Sequence, residues 1–418
     1  MLFFYQRITL LIMQQRQSHS NNSYSDHSHS SHSGKGHIAV IGAAIAGLSA
    51  ALGAANAGYQ VTIYGKVPAI APGALQLAPN GFAALDELDA LPAITPLMTR
   101  LHAIEVKSIN RNATLAVIDH EAPIYRDYAS LSRLDLIQSL AKLCENHDAI
   151  SFQDQDVTAL QISDQTSHVI SNKNSNRDKT AYDIIIGADG QGGLSREIVT
   201  GEAHKNPIER GPVAWRAAVP ADHLPDHFSL SRTRLWLGDG CHLVCYPFNK
   251  SQSDDGQEGL MVNLVLCVTA PNPARNPIQD PQHYLSSQAV FAPLCKGEIQ
   301  WVKTALPPAS QLSTWRRHNL VLTGDAAHSM PPHLAQGAGQ TLEDAATLSS
   351  LLAHYDNPQD VAGAFAIERA RALAPIIKRA GATGTIMRLS GPFGALRNAA
   401  IEMGGTKMIE GWLKSVWQ

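Results

Sequence analysis

Cysteine is scarce in this chain and poorly spaced for chemistry. The five thiols, Cys144, Cys241, Cys245, Cys267 and Cys295, form no C-x-x-C pair and leave one unmatched. That argues against a disulfide-stapled scaffold, offers no metal site, and fits packed thiols in a reduced, cytoplasmic chain. Net charge is also small, at −3 over 418 residues, which argues against nucleic acid as a partner. The apolar run within residues 1–13 is broken by Gln6 and Arg7 and is too short to span a bilayer, so no transmembrane segment is expected. Residues 18–37 are a Ser/Asn/His tract containing His19, His27, His29, His32 and His37. Without apolar periodicity it cannot bury a face, and residues 1–36 read as a low-complexity, disordered tail.

Order begins at His37. His37–Ile41 reads as a parallel strand, Gly42-Ala43-Ala44-Ile45-Ala46-Gly47 as a turn, and the following residues as a helix leading through Gly58 to a second strand, Gln60–Tyr64. This is the layout of a dinucleotide fingerprint, in which the free N–H groups opening the helix hold a pyrophosphate. Two parts are missing. Ala44 stands where a second glycine would let the backbone approach the phosphates, and Gly65 stands where an acid would take the ribose hydroxyls. Weakened dinucleotide binding is expected, and Gly65→Glu is expected to tighten it. A second fingerprint is also missing, so another dinucleotide would visit without a domain of its own.

Two further buried strands end in acids. Asp183–Gly190 (DIIIGADG) is one, and Leu320–Leu322 leading to Gly324-Asp325 is the other. After the second, Pro331 and Pro332 stiffen a turn. Gln336-Gly337-Ala338-Gly339-Gln340 then opens a helical pattern through Leu342, Ala345, Ala346 and Leu352. Free amides at a helix start suit an anion or an electron-rich oxygen. Ser132 is a plausible cap for a helix beginning at Arg133. Residues 163–180 read as a polar turn region, and 101–128 as short strands of a substrate-facing sheet. From Pro207 to Pro308 the texture is strand and loop, with Trp215, Trp236 and Tyr246 as an aromatic wall and Arg216 beside it. The last helices are candidates for a site cap or a homodimer surface.

These motifs, in this order, resemble the FAD-dependent aromatic monooxygenases, the family of p-hydroxybenzoate hydroxylase and salicylate hydroxylase. The wording LAQGA…EDA looks more like the salicylate and 3-hydroxybenzoate 6-hydroxylase branch. The resemblance implies an α/β fold with a Rossmann-like FAD-binding domain at 37–206 and 309–375. A β-sheet substrate domain would be inserted at 207–308, with C-terminal helices at 376–418. It places FAD on Gly42, Ala44, Gly47, Arg133, Asp189, Gly190, Asp325, Gly337, Ala338 and Gly339. Asp325 would hold the ribitol chain, and the 337–339 amides would lie beside the pyrimidine ring. The segment Gly73–Asn80 is similar to one that passes close to the flavin. NADH or NADPH would reduce FAD, O₂ would give a flavin C4a-hydroperoxide, and a small aromatic substrate would be hydroxylated. Pro332 would shape the substrate side, and His333 is the suggestive acid–base group, since imidazole titrates near neutrality. Arg216, Trp215 and Tyr246 are the candidate substrate residues. Gly193 replaces the family's serine, while Arg196 keeps its arginine. Two alternatives stand beside this: an FAD epoxidase or hydroxylase of polycyclic or isoprenoid substrates, and a flavin-poor, non-catalytic relative.

Overall fold

A computed structural model describes residues 35–119, 127–172, 180–202, 211–224, 228, 230–251, 259–268, 278, 280–295, 297–309 and 311–417. The tail reading of residues 1–36 therefore falls almost wholly outside the described residues. At the centre is a six-stranded sheet in the order 316–317, 320–322, 184–187, 37–41, 60–64, 150–153. Every pairing but that of the two-residue edge strand Arg316–Arg317 is parallel. The strands Ile184–Gly187 and Leu320–Leu322 are buried throughout, as a sheet covered on both faces requires. One face carries the helices Ile45–Asn56, Arg133–Glu145 and Gly337–His354. The register sets Ile41 beside Gly187 and Gly187 beside Leu322, so three motif-bearing strands end level at the carboxyl edge. Ligands of open α/β sheets sit at that edge.

The 163–180 tract is not all turn. Ser167–Ser171 is a strand between Val157–Gln161 and Ala181–Tyr182 in a small antiparallel sheet. Its inward positions are Ser167, Val169 and Ser171, and inward serines hide the alternation that marks a strand.

A second sheet has seven strands in the order 302–305, 213–220, 259–268, 241–250, 232–237, 103–108, 113–119. Side chains alternate between its faces. Trp215, Trp236, Cys241, Leu243 and Leu264 pack on the far face in a core of their own. Arg216, His242, Tyr246 and Cys267 occupy the alternate positions, on the near face. There Tyr246 packs with Ala74, Leu334 and Trp417, which belong to the flavin side and the last helix. The border expected at 375/376 falls inside one continuous helix, Pro358–Met387, with Pro375 in its interior. The final helix, Gly391–Trp417, kinks at Gly405, where φ is +58°. Among the described residues no helix is long and apolar enough to cross a membrane.

Candidate active site

The fingerprint turn is held shut by two of its glycines. A Cβ on Gly42 (φ +108°) would lie 2.5 Å from the carbonyl oxygen of Ala188, and one on Gly47 would collide with the Gly42 carbonyl. Ala44 is the N-cap of the 12-residue helix and supplies no side-chain cap, so that helix start keeps its amides for a ligand. Gly65 corrects the simple reading of a missing acid. Its φ is +127°, a conformation that L residues rarely adopt, so a glutamate there would be strained even though its Cβ would meet only ordinary contacts, 3.6 Å from Gly42 and Ala43. Neighbouring Lys66 pairs with Asp154 at 3.5 Å, both exposed.

Gly193 also has a local reason. A Cβ there would collide with the Asp189 carboxylate. That carboxylate accepts the backbone N–H of Ser195 at 2.9 Å, at the start of the helix Leu194–Thr200. Its other oxygen is buried without a partner, and burial raises its pKa. The glycine thus lets the strand-end acid turn back onto the helix it precedes. Arg196, in that helix, donates to the carbonyls of Asp325 and Ala326 at 3.4 and 3.2 Å, joining the two strand-end motifs.

Asp325 is exposed at the edge, just after Gly324, whose φ is +58°. The 18-residue helix Gly337–His354 starts with no side-chain cap, so the amides of Gly337, Ala338 and Gly339 lie in an open first turn. A network that the sequence reading missed holds this region. Asp344 accepts from Gly324 N (2.9 Å), Thr323 Oγ1 (3.1 Å), His328 Nε2 (2.5 Å) and Arg369 Nε (2.7 Å). Burial alone would raise its pKa, but His328 and Arg369 together hold it well below the carboxylate range. Arg369 also donates to Glu343 and to the Gln340 carbonyl. Asn80 donates to Gln336 at 3.0 Å and lies where a Cβ on Gly339 would press, which fixes the 73–80 segment against the helix start.

The substrate-side residues separate. Trp215 lies on the far face under Lys303, whose Nζ is 5.3 Å from the ring centroid, so it cannot share a ligand with Arg216 one position along. Tyr246 is on the near face, but its hydroxyl donates to the Ala74 carbonyl at 2.9 Å and is spent on packing. Arg216 donates to Thr304 Oγ1 at 2.6 Å, and the field of Asp325 reaches it. Arg133 is exposed at the first turn of its helix, with Ser132 capping Asp135 N, and its charge also acts on Arg216. Pro332 opens a 3₁₀ turn to Leu334. His333 accepts from Arg388 at 3.0 Å, and burial, reinforced by that guanidinium, pushes its pKa down to about 3. The imidazole is therefore neutral at pH 7 and a poor proton acceptor there, which corrects the expectation of near-neutral titration. His242, Cys267 and Arg388 surround it and were not singled out from sequence. An open recess of about 530 Å³ lies elsewhere, at the amino edge of the sheet beside His37 and Asp183, and contains none of the candidate cofactor or substrate residues.

Tight glycine turns, two uncapped helix starts and a buried unpartnered carboxylate oxygen at one sheet edge fit a long, polyhydroxylated dinucleotide. The family described as FAD binding domain matches residues 35–371. The chain belongs to this FAD-binding family. A 3-amino-4-hydroxybenzoate 2-monooxygenase of Streptomyces platensis, PtmB3, is 31% identical over 340 residues, spanning 76% of this chain and 80% of the relative. A 3-hydroxybenzoate 6-hydroxylase of Klebsiella oxytoca is 28% identical over 345 residues, or 78% and 82% of the two chains. Among solved structures, Klebsiella pneumoniae HpxO with FAD and uric acid superposes with a TM-score of 0.73 at 18% identity, over 91% of this chain and 96% of that one. A salicylate hydroxylase substrate complex gives 0.69 at 20%, over 91% and 97%. As a family member the protein is an FAD-dependent monooxygenase, and NAD(P)H is the usual co-substrate of the FAD-binding family.

Proposed function

We propose that the protein hydroxylates a small phenolic carboxylic acid, with NADH or NADPH and O₂ as co-substrates. The observation that carries this reading is the near face of the second sheet. It presents Cys267 and His242 to His333 of the Pro332–Leu334 turn, with Arg216 on the same face, and that turn leads to the open helix start at Gly337. The relatives support the class: their names specify hydroxybenzoates, and another, 26% identical, is a 6-hydroxynicotinate 3-monooxygenase of Bordetella bronchiseptica. FAD, when bound and reduced, supplies the activated oxygen. The chain's own work is to bind, to exclude water and to orient. The 337–339 amides, with the positive helix end behind them, stabilise negative charge on the cofactor side. Asp325 and Arg133 hold polar parts of the cofactor, and Pro332 shapes the opposite wall. His333, kept neutral, serves as a fixed hydrogen-bonding group. Packed free thiols support a cytoplasmic setting. The exposed apolar residues Phe393, Leu396 and Met403 on the last helix support a homodimer surface.

The test is a panel of hydroxybenzoates, hydroxynicotinates and neutral phenols with purified holoenzyme, following NAD(P)H oxidation and the hydroxylated product. Stimulated oxidation coupled to product is expected with the acids. Turnover confined to neutral polycyclic or isoprenoid compounds would replace the substrate class.

A further inference from the structure

Three parts of the chain meet in one polar cluster beside the near face. Arg388 ends the helix Pro358–Met387, His333 comes from the 3₁₀ turn, and His242 and Cys267 are cross-strand partners. The donor atoms of His242, Cys267 and His333 lie within 4.8 Å of one another, a spacing that a metal ion would accept. The charges around them decide against a cation. Arg388 already occupies His333 Nε2, and the fields of both Arg216 and Arg388 reach Cys267. Burial pushes that thiol up to about 12. A cation would have to displace the thiol proton between two guanidinium groups.

An anion meets the opposite conditions. Arg388 is half-buried and forms no ion pair with a carboxylate among the described residues, in contrast to Arg369. Because His333 accepts at Nε2, its proton sits on Nδ1, and that atom is buried without a partner. The Nδ1 of His242 is likewise buried and unpartnered, with its ring 5.1 Å from His333. Gly384, one turn before Arg388, makes room for the His333 ring, since a Cβ there would collide with it. A half-buried guanidinium without a counter-charge, steadied by a neutral imidazole, is the arrangement that a carboxylate completes. Arg216 lies on the same face and also forms no ion pair among the described residues, but its guanidinium donates to Thr304 Oγ1 at 2.6 Å on the neighbouring strand.

We propose that Arg388, held in place by the Nε2 of His333, clamps the carboxylate of the aromatic acid substrate. The clamp rests on the substrate class proposed above, and the experiment separates the two. The dissociation constants of 3-hydroxybenzoate and of uncharged 3-hydroxybenzamide are measured on holoenzyme from the perturbation of the flavin spectrum, without turnover. For Arg388→Gln with wild-type flavin content and circular dichroism, acid binding is expected to weaken about 10- to 100-fold. Amide binding is expected to change less than about threefold, and Arg388→Lys to lie between the two for the acid. If wild type binds the acid and both Arg388 variants bind it equally well, or if acid and amide weaken together, the clamp is overturned alone. If wild type binds none of the hydroxybenzoates or hydroxynicotinates, the substrate class falls and the clamp with it. Titration with ZnCl₂ supplies the last arm. No stoichiometric binding is expected, and binding abolished by Cys267→Ala would turn the cluster into a metal site.

Discussion

Arg369 and Arg388 stand on one helix and its C-cap, yet their surroundings are built oppositely. Behind the flavin helix, Arg369 is buried with Asp344 at 2.7 Å and Glu343 at 3.0 Å, and Asp344 in turn fixes Gly324 and His328. Beside the substrate face, Arg388 has a neutral imidazole at 3.0 Å. A completed set of buried charges specifies geometry, and removing one partner strands the others. An incomplete set lowers stability until a ligand supplies the missing charge, which is why such sets point to function. The first cluster therefore holds the FAD edge in shape, and the second waits for substrate.

The largest effect is expected from breaking the complete set. Asp344→Ala leaves buried Arg369 with Glu343 alone, strands His328, releases the Gly324 amide and should cost about 3–5 kcal/mol. Urea unfolding of the holo and apo proteins measures it, and a loss below about 1 kcal/mol would show that the network is dispensable. Asp325 sharpens the contrast because it stands at the same edge but in the open. Asp325→Ala should weaken flavin binding about 10- to 100-fold, as lost hydrogen bonds to a charged group do, while leaving the apo-protein's stability unchanged. Full flavin occupancy at low flavin concentration would sink its assignment to the ribitol chain.

The two clusters should also part in their response to pH. His333 has a folded pKa of about 3 against an ordinary 6.5, so between those values the unfolded chain binds more protons. Stability then falls as pH drops through that window. His242 and His37 are shifted in the same direction. Asp344 is depressed as well, but from the lower carboxylate value, so its contribution is present above that value and is lost only as pH falls below it. His333→Gln should therefore flatten part of the decline in urea midpoint between about pH 6.5 and 3, the carboxylates adding their own loss in the lower part of that range. An unchanged slope would mean that the imidazole is protonated in the folded state. Arg388→Met, which removes a charge lacking an ion-pair partner, should leave stability within about 1 kcal/mol or raise it, the reverse of Asp344→Ala.

The cofactor edge was legible because its requirements are local. Gly42 and Gly47 are demanded by backbone approach, and Asp189 and Asp325 end short apolar strands. What lay between distant segments was hidden. Arg369 reaches Asp344 across 25 positions, and Arg388 sits in a helix whose charges look like a solvated face. Trp215 and Arg216 are adjacent in sequence, so choosing the face of one decides against the other, and only the packed sheet shows which face meets the cofactor. His333 looked like a titrating base because its type is visible in sequence and its burial is not.

The smallest net effect concerns the charge that the chain leaves out. An acid at position 65 would gain hydrogen bonds to the ribose hydroxyls, about 1.5–3 kcal/mol by the usual worth of such bonds to a charged group. Against that stands φ of +127° at Gly65, where a side chain carries about 1–3 kcal/mol of strain. The two are of equal size and opposite sign. They act on different measurements, however: strain lowers the stability of apo- and holo-protein alike, while the ribose contact appears only with flavin bound. Gly65→Ala isolates the strain, since it adds a Cβ without an acceptor. Gly65→Glu should match Gly65→Ala in apo-protein stability and bind flavin about 10- to 100-fold more tightly than either Gly65→Ala or wild type, leaving the stability of the holo-protein close to that of wild type. Apo-protein of either variant as stable as wild type would mean that the backbone relaxes at this turn without cost. No difference between the alanine and glutamate variants would mean that the ribose is held by other groups, with the exposed Asp154 beside Lys66 the first to substitute.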